Sequence, residues 1–250
     1  MSVWSEAART LWPGRGARDG PLPPLLLLLT VVTGLVDAAR YLKLGHVFVA
    51  NMTGNVVFLG FAIAGAGGLS IWASLVALGS FLVGGLAGGR IGYRFAAHRG
   101  QLLRTALATQ VLFVAAAVSL AAATGDPVAW SRRYALIALL AFAMGVQNAT
   151  ARRLAVPELT TTVLTMTLTG IAADSALAGG PGARLGRRLL AVAAMLVGAL
   201  IGALLALKVD TLAPLVAAVA TLTITAIAAQ QLSKSHAGWS RNVGSSLHAK

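Results

Sequence analysis

The stretch Val47-Phe-Val-Ala-Asn51-Met-Thr53-Gly-Asn55-Val-Val-Phe-Leu-Gly60 has the apolar composition of a membrane span, yet polar residues interrupt it near its middle. The chain has four asparagines, and two of them, Asn51 and Asn55, lie in this stretch. An amide buried in hydrocarbon costs about 4–8 kcal/mol, against an alkane reference, unless it is hydrogen-bonded. Because of this cost, we expect these side chains to face a neighbouring helix, water or a ligand rather than lipid. The stretch therefore predicts a polar site inside a helical membrane protein.

The composition of the whole chain agrees with a membrane protein. Hydrophobic residues make up 57% of the 250 residues and charged residues 11%, whereas a soluble domain carries about 25% charged residues. The net charge is +13, and the basic residues lie mostly between apolar runs, where they favour the cytoplasmic side and anionic head groups. Aromatic residues amount to 6% and form no basic-aromatic platform. We therefore expect membrane lipids, and no nucleic acid, as partners.

Candidate membrane spans follow from the length of the apolar runs, because a spanning helix needs roughly 20 mostly apolar residues. Eight stretches meet this rule: 22–41, 46–66, 70–93, 102–123, 132–150, 159–178, 188–207 and 211–231. The short turns after the first and seventh stretches are the weakest boundaries, and a re-entrant segment there would lower the count, so six to eight spans fit. Residues 1–21 are interpreted as a polar, flexible head, and residues 232–250 as a polar tail.

The orientation in the membrane does not follow from eight spans. The positive-inside rule compares the basic residues on the two sides. With eight spans, eleven basic residues fall on the amino-terminal side and nine on the other. This balance indicates either that the count of spans is off by one or that something else sets the orientation.

An internal repeat divides the apolar region into two similar halves, about 22–124 and 130–231. Three matches occur in the same order in both halves, at offsets of 111, 112 and 114 residues. The matches pair Gly34-Leu-Val-Asp37-Ala with Gly145-Val-Gln-Asn148-Ala, Thr53-Gly-Asn55 with Thr165-Met-Thr167, and Phe81-Leu-Val-Gly84-Gly-Leu-Ala-Gly88 with Met195-Leu-Val-Gly198-Ala-Leu-Ile-Gly202. Four spans in each half predict parallel repeats, whereas an odd number would make them inverted.

The glycine pairs of the third match are predicted to be packing sites. Gly84 and Gly88 in one half, and Gly198 and Gly202 in the other, have the spacing that lets two helix backbones approach closely. Packing inside the bundle is the favoured interpretation. A contact between copies of the chain in a homo-oligomer is the alternative.

Polar residues placed alike in both halves define the candidate site. Asp37 is the one acid well inside the apolar runs of the first half, and a carboxylate at a span centre costs about 2.5–3.5 kcal/mol on insertion scales, so it normally faces a partner or a cavity. Arg40 could instead pair with it on the same helix face, and both interpretations stay open. The predicted solute-binding set is Asp37, Asn51, Thr53, Asn55, Asn148, Thr165 and Thr167.

Catalysis, metals and cofactors are not expected. The chain has no cysteine, and its histidines, at positions 46, 98, 236 and 248, lie in loops, at span ends or in the tail, without ligand-like spacing. It contains no nucleophile-elbow, zinc-protease or phosphate-loop motif. An intramembrane hydrolase would need a nucleophile and a base within reach of each other. We therefore predict that the protein is not an enzyme.

The same motifs resemble a known family. Gly34-Leu-Val-Asp37-Ala, Phe48-Val-Ala-Asn51-Met-Thr-Gly-Asn55, Gly145-Val-Gln-Asn148-Ala-Thr-Ala-Arg152 and Thr161-Thr-Val-Leu-Thr165 together resemble the YoaK-like family of bacterial membrane proteins, a domain of unknown function. The resemblance extends from about Leu22 to Gln231, and Met166 departs from it where a second glycine would match Gly54. It implies a multi-pass protein of the bacterial inner membrane and supplies no activity, substrate or cofactor.

Two hypotheses of different classes follow. The first is a transporter or channel for a small solute or ion, in which Asp37 responds to protons or cations and the amides and hydroxyls orient the solute. The second is a non-transporting membrane scaffold or sensor, whose polar residues only hold helices together through interhelical hydrogen bonds of about 0.6 kcal/mol each. Changing Asn51 or Asn148 discriminates between them, because a scaffold would lose folding and a transporter would lose flux.

Overall fold

The computed structural model describes residues 2–14, 16–43, 45–123, 130–180, 182, 184–235 and 237–240. All regular elements within these residues are helices. In chain order they are α1 (Val3–Leu11), α2 (Leu22–Lys43), α3 (Met52–Ile63), α4 (Ile71–Arg94), α5 (Arg99–Ala122), α6 (Trp130–Leu154), α7 (Thr165–Ala173), a 3₁₀ turn (Ala176–Ala178), α8 (Leu185–Lys208), α9 (Ala213–Ser235) and α10 (Ala237–Ser240).

Six of these helices, α2, α4, α5, α6, α8 and α9, are long and apolar enough to cross a membrane. At 1.5 Å of rise per residue, their apolar segments of 21 to 24 residues span roughly the 30 Å of a bilayer core. Large apolar side chains are exposed on the outside of the bundle, such as Leu82 and Leu86 on α4 and Leu196 and Leu200 on α8. The predicted polytopic α-helical bundle is therefore confirmed, with a count of spans at the low end of the predicted range.

The candidate spans 46–66 and 159–178 are not continuous helices, which corrects two of the eight assignments. In each, a non-helical segment leads into a short helix, α3 with 12 residues and α7 with 9. Helices of these lengths reach only about 18 Å and 14 Å. Neither short helix can cross the bilayer core alone, because each falls well short of the roughly 30 Å that a span needs.

The segment that contains α3 enters the bundle and leaves on the same face. Gly45, which follows α2, and Ser70, which precedes α4, line one small cavity of about 240 Å³ together with Tyr134 at the start of α6. The end of α2 and the start of α4 are therefore on one face. Within the segment, the Phe58 ring of α3 lies 6.0 Å from the ring of Tyr41, near the end of α2. α3 therefore runs back towards the face at which α2 ends.

The segment that contains α7 is re-entrant from the opposite face, the face where α2 begins, which we call the amino-terminal face. Arg99 at the start of α5 donates to Leu154 O at the end of α6 (2.9 Å) and contacts Asp19, which precedes α2 (3.3 Å). Arg187 at the start of α8 donates to Pro157 O (3.4 Å) and lies 3.8 Å from Asp19. The end of α6 and the start of α8 therefore share the amino-terminal face. The sequence predicts a re-entrant segment after the first or the seventh candidate span. The first re-entrant segment lies at the first of these places, after α2, whereas the second follows α6 and not the seventh candidate span.

The two halves have opposite directions in the bundle. Arg40, near the end of α2, donates from Nη2 to Arg133 O, near the start of α6, at 3.3 Å. Gln147, near the end of α6, donates from Nε2 to Thr33 Oγ1 of α2 at 2.9 Å. These two contacts require α2 and α6 to be antiparallel. Each half has three spans and one re-entrant segment, and the odd number makes the halves inverted rather than parallel.

The glycine pairs pack inside the bundle, as predicted, and their contacts correspond in the two halves. A Cβ on Gly84 of α4 would meet the backbone of Phe142 in α6, and a Cβ on Gly198 of α8 would meet the backbone of Val31 in α2. Phe142 and Val31 are 111 residues apart in the chain, which is the offset of the first match in the repeat. α4 therefore packs on α6 as α8 packs on α2, and in each pair the more deeply buried helix is α6 or α2.

The predicted head and tail contain helical residues. Residues 3–11 form α1, whose Glu6 Oε2 accepts a hydrogen bond from Gly186 N at the start of α8 (3.1 Å). The first residues of the predicted tail continue α9 to Ser235, and Trp239 of α10 packs near Gly20. The rest of that tail, 241–250, and the histidines at positions 236 and 248 lie outside the described residues.

Six spans give a clear prediction for the orientation. Of the basic positions in the described chain, twelve lie at the amino-terminal face and five at the opposite face. The twelve are Arg9, Arg18, Arg90, Arg94, Arg99, Arg104, Arg152, Arg153, Arg184, Arg187, Arg188 and Lys234, and the five are Arg40, Lys43, Arg132, Arg133 and Lys208. The positive-inside rule then predicts that the amino-terminal face is cytoplasmic.

Labelling of single cysteines tests this orientation, because the natural chain has none. Ala66→Cys lies in the exposed turn after α3, and Leu177→Cys replaces an exposed side chain after α7. We expect a membrane-impermeant maleimide to label Ala66→Cys in intact cells and to label Leu177→Cys only after permeabilisation. The reverse pattern would contradict the predicted orientation.

Candidate functional site

The first turns of both re-entrant helices face one cavity of about 920 Å³. Met52, Thr53, Leu164 and Thr165, at the beginnings of α3 and α7, line it. The other walls come from the second half of α2, from α8, from one residue each of α4 and α6, and from the non-helical segments before α3 and α7. The beginnings of the two re-entrant helices therefore lie around a single cavity. One helix comes from each of the inverted halves, and the two enter the bundle from opposite faces.

Asp37 fixes the first re-entrant segment and lines the cavity. Its Oδ1 accepts hydrogen bonds from Val49 N (2.8 Å) and Ala50 N (2.9 Å). These two N–H groups belong to the non-helical segment before α3 and have no helical partner, so the carboxylate satisfies groups that would otherwise be unpaired. The alternative pairing with Arg40 does not occur, because the ion pairs among the described residues include none between them and Arg40 donates to Arg133 O instead.

Asn51 and Thr53 also line the cavity, at the start of α3. Asn51 is the N-cap of this helix, and its Oδ1 accepts a hydrogen bond from Gly54 N at 3.3 Å. Asparagine is among the preferred N-cap residues, since its side chain replaces a missing helical acceptor. Both side chains are exposed to the cavity or its mouth, so their remaining polar capacity is available to a solute.

Asn55 was predicted to bind solute but does not line the cavity. It is completely buried, and its amide forms two hydrogen bonds with the backbone of Phe48: Oδ1 accepts from the N–H (2.9 Å) and Nδ2 donates to the carbonyl (2.7 Å). This side chain therefore joins the non-helical part of the re-entrant segment, at Phe48, to α3. In the structure its role is to hold the segment in place.

In the second half, Asn148 and Thr165 line the cavity and Thr167 does not. Asn148 Nδ2 donates to Thr162 Oγ1 at 2.5 Å, so it holds the segment before α7 much as Asp37 holds the segment before α3. Thr167 is buried at 4% exposure. The N-cap position of α7, Leu164, has no side-chain hydrogen bond. The two halves thus place a carboxylate and an amide at equivalent points of one cavity.

Aromatic residues form a wall of the cavity that the polar pattern does not predict. Tyr41, Phe48 and Phe58 all line it. The Tyr41 and Phe48 rings are stacked with centroids 5.0 Å apart, and the Phe48 and Phe58 rings with centroids 5.7 Å apart. The signal in the sequence is that Tyr41 follows Asp37 by four residues, which places both on the same helix face. Thr162, the partner of Asn148, was also outside the predicted set.

No group of three or more His, Asp or Glu side chains in the described part of the chain is placed to hold a metal ion. The chemistry available in the cavity is therefore one carboxylate, several amides and hydroxyls, and aromatic and aliphatic surface.

The fold and the cavity define a multi-pass helical membrane protein with two re-entrant helices around a common space. The chain belongs to the family described as "Protein of unknown function (DUF1275)", whose family model matches residues 25–228. It is 39% identical over 153 residues to the UPF0700 transmembrane protein YoaK of Bacillus subtilis (strain 168), a match that covers 60% of this chain and 65% of YoaK. No solved structure matches this chain.

The role of Asn55 gives a prediction about stability. Asn55→Ala leaves the part-buried N–H and carbonyl of Phe48 without their side-chain partner, and unsatisfied groups out of water cost about 1–3 kcal/mol each. We expect the free energy of unfolding, measured by titration of the purified protein with denaturing detergent, to fall by about 2–4 kcal/mol.

Asn51→Ala is the matched control four residues earlier. It removes a single N-cap hydrogen bond, which is worth about 1 kcal/mol. If Asn55→Ala proves as stable as Asn51→Ala, the structural role of Asn55 is wrong.

Proposed function

We propose that the protein is a transporter or channel that binds a small solute or ion in the cavity between its inverted halves. The observation that carries this proposal is the meeting of two broken helices from inverted halves at one cavity. In secondary transporters, substrate sites lie at such repeat interfaces and are formed by discontinuous helices. Irregular backbone inside a bilayer is tolerated where it is buried in protein or lines a water-filled cavity, and both non-helical segments contribute residues to the lining of this cavity.

The predicted polar residues support the same proposal, since five of the seven line the cavity: Asp37, Asn51, Thr53, Asn148 and Thr165. A charged residue inside the membrane is costly and usually marks a pathway for a substrate, ion or proton. In this proposal Asp37 is the group that responds to charge, and the amides and hydroxyls orient the solute. The protein acts in the bacterial inner membrane, without a catalytic step.

A ligand-dependent stability measurement tests the proposal. The purified protein is heated in detergent with a panel of ions, amino acids, sugars, nucleobases and drugs, and positive compounds are then tested for flux into proteoliposomes. A ligand at a hundred times its dissociation constant stabilises the folded state by about 2.7 kcal/mol. We expect this stabilisation to be lost in Asp37→Asn and Asn148→Ala.

Thr109→Ala is the control, because Thr109 lies on α5 outside the cavity and its hydroxyl only donates to Thr105 O. Ligand stabilisation and flux should survive this change. The scaffold alternative would be supported instead if no compound stabilised the protein and the cavity variants were themselves unstable.

A further inference from the structure

The charge of the cavity indicates what it binds. Asp37 is the one Asp, Glu, Lys, Arg or His side chain among the described residues that line it. The cavity thus contains a carboxylate and no basic side chain, in a chain that has a net charge of +13. We propose that the solute is a monovalent organic cation with an apolar body, bound with its positive charge at Asp37. This inference rests on the proposed transport function, since it names the substrate class of the same site.

The neighbouring charged and titratable groups do not compensate Asp37. On its own helix, Arg40 is fully buried and turns towards α6, where it donates to Arg133 O. His46 is exposed and packs edge-on against Tyr41, outside the cavity lining. The lining segments of α3, α4, α6, α7 and α8 supply no acid and no base, and Tyr41 is the remaining titratable group.

The beginnings of α3 and α7 carry partial positive charge, which weakens the attraction of the cavity for a cation but does not cancel it. A helix terminus is equivalent to about half an elementary charge, and its effect fades within one turn. The N–H groups of Val49 and Ala50 already donate to Asp37, so this side chain is fixed near the start of α3. A full negative charge at close range therefore determines the sign of the potential beside Asp37, and a carboxylate out of water needs a cation or a proton.

The walls favour an organic cation over a divalent metal ion. Ca²⁺ takes six to eight oxygen ligands and Mg²⁺ demands octahedral coordination, whereas Asp37 is the single carboxylate here. The aromatic wall of Tyr41, Phe48 and Phe58 lies on the same side as Asp37. Aromatic ring faces attract organic cations, and the volume of about 920 Å³ lies within the range of cavities that hold drug-sized ligands.

Proton and solute would compete for the same carboxylate. The cation is bound by ionised Asp37, and protonation removes the charge that holds it. Affinity should therefore fall as the pH is lowered through the titration of Asp37, and the loss should be absent when position 37 cannot ionise. In a transporter this competition would exchange a proton for a cation at one site.

A matched pair of probes tests the proposal. Tetraphenylphosphonium and tetraphenylborate have nearly the same size and shape and opposite charge. Their binding to the protein in lipid nanodiscs is measured by equilibrium dialysis, with empty nanodiscs subtracted. We expect wild type to bind the phosphonium at least about tenfold more tightly than the borate, and to lose this preference at acidic pH.

Asp37→Asn is the test variant. The amide oxygen can still accept from Val49 N and Ala50 N, and asparagine is the residue that the second half has at the equivalent position 148. Phosphonium binding should weaken on the order of tenfold or more and become independent of pH. The probe pair and the pH series on wild type alone keep the test decisive if the variant fails to fold.

Equal binding of both probes by wild type, preference for the borate, or unchanged phosphonium binding in Asp37→Asn would each overturn the inference. The proposed transport function fails separately. If a neutral or anionic solute is bound and transported in a manner that depends on Asn148, the proposed transport function stands and the proposed cationic substrate is wrong. If no ligand responds to changes in the cavity residues, both proposals are wrong.

Discussion

Gly84→Ala is expected to destabilise the helical bundle by about 3 kcal/mol, at the upper end of overpacking costs. A Cβ at this position would point at the backbone of Phe142, with the carbonyl carbon 2.8 Å away. The obstacle is backbone rather than the end of a flexible side chain, so α4 and α6 would have to move apart. This pair of helices has its counterpart in α8 and α2, and Gly198→Ala should have a similar effect because its Cβ would meet the backbone of Val31.

Gly85→Ala is the control, since a Cβ there has nothing within 4 Å. Both changes remove one glycine from the interior of α4, and both gain up to about 1 kcal/mol in helix propensity. Only the first introduces a clash. Unfolding of the two variants in denaturing detergent should therefore differ by several kilocalories per mole. Equal stabilities would show that α4 and α6 are not in close contact at Gly84.

Apolar length predicts the six long helices but cannot separate a span from a re-entrant segment. The apolar run around Asn51 is compatible with a continuous membrane span and also with a non-helical segment followed by a short helix. A contact from another helix distinguishes the two: Asp37 of α2 accepts hydrogen bonds from the backbone N–H groups of Val49 and Ala50. This pairing depends on tertiary structure. The orientation stayed undecided for the same reason. Counting the two re-entrant segments as spans adds two crossings and assigns the basic residues between them to the wrong face.

The repeat predicts which positions correspond in the two halves but not which way their side chains face. Thr53 and Asn55 are two residues apart, and two residues on a helix are turned by about 200°. When Thr53 faces the cavity, Asn55 therefore faces the opposite way, into the fold. The same relation separates Thr165 from Thr167. The sequence predicts only one residue of the aromatic wall, Tyr41, through its spacing of four from Asp37, because Phe48 and Phe58 are apolar residues among many in a membrane protein.

Arg188 is expected to be the most sensitive charged residue at the amino-terminal face. It lies at the start of α8 and is 7% exposed. Its guanidinium binds both oxygens of Glu158, at 2.9 Å and 3.0 Å, and Asp174 at 2.6 Å, and it also donates to Gly170 O. Arg188 therefore joins the segments before and after α7 to α8. It holds the second re-entrant helix against the bundle.

Arg188→Ala should lower the free energy of unfolding by about 2–3 kcal/mol, because the part-buried Glu158 loses both hydrogen bonds from the guanidinium and hydrogen bonds to charged groups contribute about 1.5–3 kcal/mol. Glu158 also has a backbone φ of 69°, an unfavourable conformation for a side chain other than glycine, which these contacts help to hold. The first turn of α7 lines the cavity, so its release should also change the accessibility of the site. Thr165→Cys, in the otherwise cysteine-free chain, reports this as faster labelling by a maleimide in the purified protein.

Arg184→Ala separates this specific role from a general loss of positive charge. Arg184 is four residues earlier and 3.8 Å from Glu158, with a side chain that is 52% exposed. Exposed pairs of this kind contribute about 0–1 kcal/mol, so unfolding and the labelling of Thr165→Cys should stay close to those of the unchanged background. If both arginine variants behaved alike, the contacts of Arg188 would not be what holds α7. If only Arg188→Ala accelerates labelling, the ionic contacts at the amino-terminal face control access to the cavity from that face.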